Sequence, residues 1–336
     1  DANYNLTFVP GSLVIGKAHL TVTANNASKT YGDANPTLSA TVSGFLNNET
    51  LATSGVTGAG AATTTATALT GAGTATITAG VGSLTASNYD FTTFATGNLT
   101  ISKANAIVTA NSSSVTYTGV AQSASGFTAS GLVNGETASV LSGVSATGAS
   151  GTNAGSYTST ASGTDSNYNL TFASGSLTIG KANATVTANS SSVTYTGVAQ
   201  SVSGFTASGL VNGETASVLS SVSATGASGT NAGSYTSTAS GTDSNYNLTF
   251  VSGSLVIGKA SATVTASSGT ATYTGLSQSV SGFTATGLVN NETASVLTGV
   301  TAGASGTNAG TYASTASGND ANYNLTFVPG SLVIGK

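Results

Sequence analysis

The sequence predicts an all-β chain, a tandem array of small β-sandwich modules arranged end to end as a rod. Three observations predict it. The chain repeats itself, because residues 320–336 copy residues 1–17 letter for letter (DANYNLTFVPGSLVIGK), and variants recur at 165–181 and 243–259. Apolar residues alternate with Thr and Ser over short runs, the period of a half-buried strand. Clusters of Gly, Ser and Asn interrupt these runs, and no segment carries a sustained helical period.

A fixed internal period overrides any domain count based on length. Lys17, Lys103, Lys181, Lys259 and Lys336 mark the same phase, with spacings of 86, 78, 78 and 77 residues. The expected organisation is therefore 1–17 as the closing strands of a preceding, truncated module, then modules at 18–103, 104–181, 182–259 and 260–336. On this reading the chain is a window cut from a longer array.

Residues 182–259 serve as the type module. Ala184–Ala188 alternates apolar and polar and reads as a strand. Ser190-Ser191-Ser192 reads as a turn or edge, and Val193-Thr194-Tyr195 resumes a strand that Thr196-Gly197 ends. Val202–Ala207 is extended and carries Phe205. Asn212-Gly213 is a tight-turn signal, and one helical turn fits near 209–216. Val218, Val222 and Ala224 lie in a short extended stretch. Tyr235–Ala239 alternates again. Asp243-Ser244-Asn245 turns into Tyr246–Phe250, and Ser252-Gly253 turns into Leu255–Ile257. Six or seven strands result. Abundant Thr and Val favour strands, because β-branched side chains pack well on a pleated surface. Regular short strands suggest an immunoglobulin-like sandwich; a β-grasp-like module is the alternative.

The five aromatics of the module, Tyr195, Phe205, Tyr235, Tyr246 and Phe250, are read as core, with each hydroxyl reaching a rim partner. Sugar stacking is the competing reading. A module of this size buries only about 60% of its unfolded surface, so neighbouring modules are expected to supply part of its stability. Only Gly258-Lys259-Ala260-Ser261 separates one module's last strand from the next module's first. At about 3.3 Å per strand residue, each module should extend about 35–40 Å. Modules 104–181 and 182–259 differ only at Ile107/Thr185, Ala124/Val202, Gly143/Ser221, Ala173/Val251 and Thr178/Val256. Such near-identity invites docking of a strand into the wrong copy, which export in an unfolded state would limit.

Composition excludes much chemistry. Charged residues make up 5% of the chain, against about 25% in ordinary soluble domains. The net charge of −4 offers no basic footprint for nucleic acid, and no apolar run is long enough to insert in a membrane. There is no Cys, Met or Trp, so disulfides and thiolate metal sites are out. His19 is the only histidine and reads as an exposed junction residue. No nucleophile–base pair and no zinc set can be assembled, so no enzyme, catalytic residue, metal site or cofactor is expected.

The ten acids are Asp1, Asp33, Glu49, Asp90, Glu136, Asp165, Glu214, Asp243, Glu292 and Asp320. Two per standard module are too few for calcium. Asp165-Ser166-Asn167 and its equivalents are read instead as Asx-turns. The milestone lysines read as exposed solubilising charges. A Lys–Asn cross-link assisted by the Glu is a remote alternative. The sequons Asn169-Leu170-Thr171 and Asn247-Leu248-Thr249 place Asn on the outward face of a strand.

The set of motifs resembles the YDG/MBG repeat domains. It comprises Lys-Thr-Tyr-Gly-Asp-Ala-Asn-Pro at 29–36, Gly-Leu-Val-Asn-Gly-Glu-Thr at 131–137 and 209–215, Asn-Ala-Gly-x-Tyr at 153–157, 231–235 and 308–312, and Asn-Tyr-Asn-Leu-Thr-Phe. The resemblance covers essentially the whole chain and carries no catalytic residues. It implies tandem β-rich modules of large secreted bacterial surface proteins resembling filamentous haemagglutinins and biofilm adhesins. The function expected is a non-enzymatic stalk or filament shaft, secreted and extracellular or at the cell surface. Its partners would be the chain itself, through adjacent modules or other copies in a fibre. The alternative is a multivalent, low-affinity polysaccharide binder.

Overall fold

The computed structural model describes residues 2–336; Asp1 lies outside the described residues. The chain divides into two compact units. The first comprises residues 1–113, 122–150 and 156–178, and the second residues 114–121, 151–155 and 179–336. The fold is all-β, interrupted only by single-turn 3-10 helices such as Ala216–Val218 among the described residues. Among the described residues no α-helix lies across a sheet, so the architecture is the sandwich and not the β-grasp alternative. No helix among the described residues is long and apolar enough to cross a membrane.

The type module, in the second unit, has nine short strands where the sequence suggested six or seven. One sheet orders Phe205–Ser208, Ala182–Ala188 and Tyr246–Val251. The facing sheet orders Ser191–Thr194, Gly253–Gly258, Gly233–Gly241 and Val222–Thr225. Gln200–Val202 and Ala227–Gly229 form a separate two-stranded ribbon. The extra strands arise because Gly204 splits the expected 202–207 run, and because Ala227–Gly229 forms a strand of its own; Ser191 opens the strand expected at 193–195 two residues early.

Two crossings define the sandwich. The chain passes from Ala182–Ala188 through Asn189 and Ser190 into the opposite sheet, and from Tyr246–Val251 through Ser252 into Gly253–Gly258. Strands that switch sheets at a bend make the corners of such packings. The two crossing segments lie side by side, so Ala182 pairs with Tyr246 and Ser191 with Leu255, both in parallel register. The remaining pairs of these two sheets are antiparallel.

The second crossing needs a residue with no side chain. A methyl group on Gly253 would lie 2.3 Å from the Ala188 carbonyl oxygen and 2.4 Å from that of Asn189. Gly97, Gly175 and Gly330 meet the same obstruction. Gly253→Ala should therefore destabilise its module by on the order of 1–3 kcal/mol, the usual cost of overpacking. A denaturant midpoint equal to that of the parent chain would contradict this.

Alternation puts Ala182, Ala184, Val186 and Ala188 inside with Leu255 and Ile257. In the first unit Leu20, Val22, Ile77 and Leu99 play the same part. The apolar core continues across module boundaries. Leu99 and Ile101 cluster with Ala104 and Ala106 in the first unit, and Leu255 and Ile257 with Ala260 and Ala262 in the second. The aromatic expectation needs correcting. Phe250 is 37% exposed, because its strand lies at the edge of its sheet, and the module's two most buried tyrosines, Tyr195 and Tyr246, sit at module junctions.

The final module extends Val300–Gly306 into one strand, which gives a five-stranded sheet. The first module has a β-bulge at Leu20/Thr21 where its opening strand pairs with Tyr89–Ala95. Residues 4–17 form no strand.

Candidate functional site

The Asn-Gly signal forms the turn it predicts. Asn134 and Gly135 both have positive φ (54° and 73°), and the Glu136 N–H donates to the Val133 carbonyl at 3.0 Å. Asn212-Gly213 and Asn290-Asn291 repeat the geometry. Positive φ at both central positions suits Asn and Gly, because the short Asn side chain tolerates this region. The turn aims the glutamate that follows it at the end of the neighbouring module.

There the carboxylate is shared by two tyrosines. In the first unit the Tyr31 hydroxyl donates to Glu136 Oε1 at 2.5 Å, and the Tyr168 hydroxyl donates to Oε2. In the second unit Tyr117 and Tyr246 donate to Glu214 at 2.6 and 2.5 Å. Tyr195 and Tyr323 do the same to Glu292, at 2.6 and 2.5 Å. Tyr31 and Tyr195 belong to the module before the one that carries the glutamate.

The tyrosine rings meet edge to face. Centroids are 5.5 Å apart for Tyr31–Tyr168 and 5.4 Å apart for both Tyr117–Tyr246 and Tyr195–Tyr323. This is a favourable arrangement of ring quadrupoles. The hydroxyls of Tyr168, Tyr246 and Tyr323 also accept a backbone N–H, from Val133, Val211 and Val289 respectively. Each thereby donates one hydrogen bond and accepts one.

The electrostatics follow. An ionised carboxylate stabilises a hydroxyl that keeps its proton. Tyr31, Tyr117 and Tyr195 are pushed up to about 12, first by the hydrogen bond to the glutamate and then by burial. Tyr168, Tyr246 and Tyr323 are raised chiefly by burial, with the glutamate bond second.

Around each cluster runs a second set of contacts. A methyl group on Gly32 (φ 92°) would strike Val133, and one on Gly119 or Gly197 would strike Asn212 or Asn290. Asn212 and Asn290 also donate to the Gly119 and Gly197 carbonyls, at 3.3 and 3.2 Å.

The Asp-x-Asn turns have the predicted form. Asp165 Oδ1 accepts the N–H groups of Asn167 and Tyr168 at 2.7 and 3.1 Å, and Asp243 and Asp320 repeat this. The Asn then latches outward. The Oδ1 of Asn167, Asn245 and Asn322 accepts the N–H of Ala72, Ala154 and Ala232. The milestone lysines do more than solubilise. Lys103, Lys181 and Lys259 donate to the Asp165, Asp243 and Asp320 carbonyls at 2.7, 2.7 and 2.6 Å.

Lys181, Glu214 and Asn245 border one open cleft of the second unit. The Asp243 carbonyl holds the lysine, two tyrosines hold the glutamate, and Ala154 holds the asparagine. No Lys–Asn bond is expected from this arrangement. Intact mass should equal the sequence mass, and a loss of ammonia per module would contradict it.

Two features of the first module complete the survey. His19, 69% exposed, pairs with Asp90 at 2.5 Å, a surface contact of small worth. Lys29, at the place of Val115 and Val193, is buried. Its Nζ donates to the Thr67 and Asp33 carbonyls at 2.6 and 3.1 Å and ties together two loops of the longer module. Asn169 and Asn247 are exposed, as expected for the outward face of their strand. No cluster of three or more metal-ligating side chains exists among the described residues.

Sequence reasoning missed the tyrosine–glutamate clusters. A signal was present: one Glu recurs in every module of a nearly uncharged chain, always directly after the Asn-Gly or Asn-Asn turn.

Among solved structures the chain is similar to a calcium-stabilised adhesin that helps an Antarctic bacterium bind ice, at 14% identity over 94% of this chain and 99% of that one, with a TM-score of 0.25. It is similar to immunoglobulin domains 1–5 of Sidekick-1 at 14% identity over 79% of this chain, with a TM-score of 0.23, and spans 66% of that five-domain chain. A Bacteroides ovatus protein of a mixed-linkage glucan utilization locus, solved with a heptasaccharide, matches at 12% identity over 67% of each chain, with a TM-score of 0.15. These likenesses are loose and assign no function. No curated protein matches the chain. The MBG domain (YGX type) family matches four times in tandem, at residues 20–100, 106–178, 184–256 and 262–333, and the chain belongs to that family.

Proposed function

We propose that the chain is a section of a non-catalytic, load-bearing array, a stalk or filament shaft of a secreted bacterial surface or matrix protein. The observation that carries this reading is the Tyr–Glu–Tyr cluster repeated at successive junctions. A flexible string of domains has no use for a buried, charge-assisted clamp at each boundary. Charge-assisted hydrogen bonds are short and roughly twice as strong as neutral ones. With aromatic packing beside them, they restrain each module against its neighbour. The near-absence of charge and the absence of sulfur suit long exposure outside a cell.

Polysaccharide binding is the weaker reading, since Tyr31, Tyr117, Tyr168, Tyr195, Tyr246 and Tyr323 are turned inward to the glutamates. Pulling the chain between its ends tests the spacer role. The expected trace is a series of discrete, similar unfolding steps, one per module, at forces that fall when Glu136 or Glu292 is replaced by Ala. Smooth extension without steps would overturn the proposal.

A further inference from the structure

The chain closes the same turn with two different sequences. Asn134-Gly135 (φ 54° and 73°) and Asn212-Gly213 (φ 54° and 70°) have positive φ at both positions, and so do Asn47-Asn48 (φ 53° and 58°) and Asn290-Asn291 (φ 52° and 57°). The closing hydrogen bond is shared as well. The N–H groups of Glu136, Glu214 and Glu292 donate to the Val133, Val211 and Val289 carbonyls at 3.0, 3.0 and 2.9 Å. Glycine is therefore not required for this geometry. What it adds at residues 135 and 213 is reactivity.

An asparagine followed by glycine can modify itself. The glycine backbone nitrogen attacks the asparagine Cγ, and a new C–N bond forms as the bond from Cγ to the side-chain nitrogen breaks. The proton of the attacking nitrogen leaves with the departing ammonia. Water then opens the cyclic imide at either of its carbonyls, giving aspartate by one opening and isoaspartate by the other. Water is the only co-reactant. A side chain on the following residue crowds the attacking nitrogen, and glycine has none.

We propose that Asn134 and Asn212 are sites of this spontaneous deamidation, and that it loosens the junctions they border. Both asparagines and the glycines after them are exposed. A methyl group on Gly135 or Gly213 would meet nothing within 4 Å, so no neighbour packs against the peptide that must rotate for the attack. One backbone hydrogen bond closes each turn, and such exposed segments open locally at little cost.

The damage falls on the tyrosine–glutamate cluster. The Asn212 amide donates to the Gly119 carbonyl at 3.3 Å. A carboxylate in its place has no proton to give and sets its charge against that oxygen. It also stands close before Glu214, the negative group that holds Tyr117 and Tyr246. The isoaspartate product lengthens the main chain by a methylene and displaces Glu214 from both hydroxyls. Each conversion adds a negative charge to a chain whose net charge is only −4. At the first junction Gly32 lies against Val133, with no counterpart there to the Asn212–Gly119 bond, so Asn134 converts before Asn212. This consequence rests on the junction reading above, whereas the deamidation itself does not.

Peptide mapping of the full chain tests the assignment. Freshly prepared chain is held warm at neutral pH in heavy-oxygen water, digested and weighed. The mass shift from amide to acid, with heavy oxygen incorporated, is expected at Asn134 and then at Asn212, while Asn47 and Asn290 keep their amides. Because water replaces the ammonia, the product is heavier than the parent, unlike a Lys–Asn bond, which leaves the chain lighter. The variant Gly135→Asn/Gly213→Asn, which copies the turn at 290–291, should fold alike and stop the conversion. Asn212→Asp stands in for one product. In it, amide exchange at Glu214, whose N–H closes the turn, should quicken roughly tenfold, the effect of one lost hydrogen bond. Intact amides at both Asn-Gly turns while the chain in urea converts, or equal conversion at Asn290, would overturn the sites. Unchanged exchange at Glu214 in Asn212→Asp would overturn the effect on the junction. The pulling experiment on Glu292→Ala probes an Asn-Asn junction, so failure of the load-bearing reading is distinguished from failure of this one.

Discussion

Glu292→Ala should destabilise the last module of the chain by about 2–5 kcal/mol and separate its unfolding from that of the module before it. The estimate follows from what is removed. Two tyrosine hydroxyls lose their shared acceptor, and hydrogen bonds to charged groups contribute about 1.5–3 kcal/mol each. The two bonds share one carboxylate, so their contributions are not simply additive. In arrays, stability is a sum of module terms and nearest-neighbour terms. Removing the neighbour term leaves modules that are marginal on their own.

The single-tyrosine variants should rank differently. Tyr323→Phe removes both a donor to Glu292 and the acceptor of the Val289 N–H, whereas Tyr195→Phe removes only the donor. Tyr323→Phe should therefore cost more. Urea unfolding followed by tyrosine fluorescence checks both claims. An unchanged midpoint with one undivided transition in Glu292→Ala would refute them. Glu136→Ala should act in the same way within the first unit, through Tyr31 and Tyr168.

Alkali should undo the same junctions without mutation. Tyr31, Tyr117 and Tyr195 ionise at about 12 in the folded chain, against 10.0 for an unperturbed tyrosine. Between those values the folded state holds protons that the unfolded state has released. Stability therefore falls as pH rises through this window. The stabilisation is fully present below pH 10 and lost above about 12. Physically, a tyrosinate placed against the glutamate puts two negative charges at hydrogen-bond distance, and the hydroxyl can no longer donate. Tyrosinate absorbance of the folded chain should lag that of the urea-unfolded chain across the window. Tyr195→Phe should remove part of the lag. Superimposable titration curves would rule out the coupling.

Much of the fold was legible because it is written in short-range pattern. Alternation of Ala and Val with Thr in 182–188 reports a half-buried strand, since successive side chains leave a pleated backbone on opposite faces. Asn212-Gly213 reports a turn because few residues accept positive φ twice running. Asp243-Ser244-Asn245 reports an Asx-turn because the Asp oxygen reaches amides only two and three residues on. Each of these depends on neighbours along the chain.

The sheet crossing at Gly253 and the exposure of Phe250 were not legible. Both depend on how two sheets stack, and the same alternation is compatible with a strand that stays in one sheet.

The sequence by itself therefore determined the repeat, the all-β class and the turns. These properties are local or compositional. Only the tertiary structure decided what the repeated glutamate does. Tyr31 and Glu136 are 105 residues apart, and Glu136 and Tyr168 are 32 apart. No period of strand or helix links them. Folding of two modules, and the close approach that Gly32 permits to Val133, brings the three side chains to one point. There a carboxylate that would be unremarkable in water becomes the shared acceptor of two buried hydroxyls.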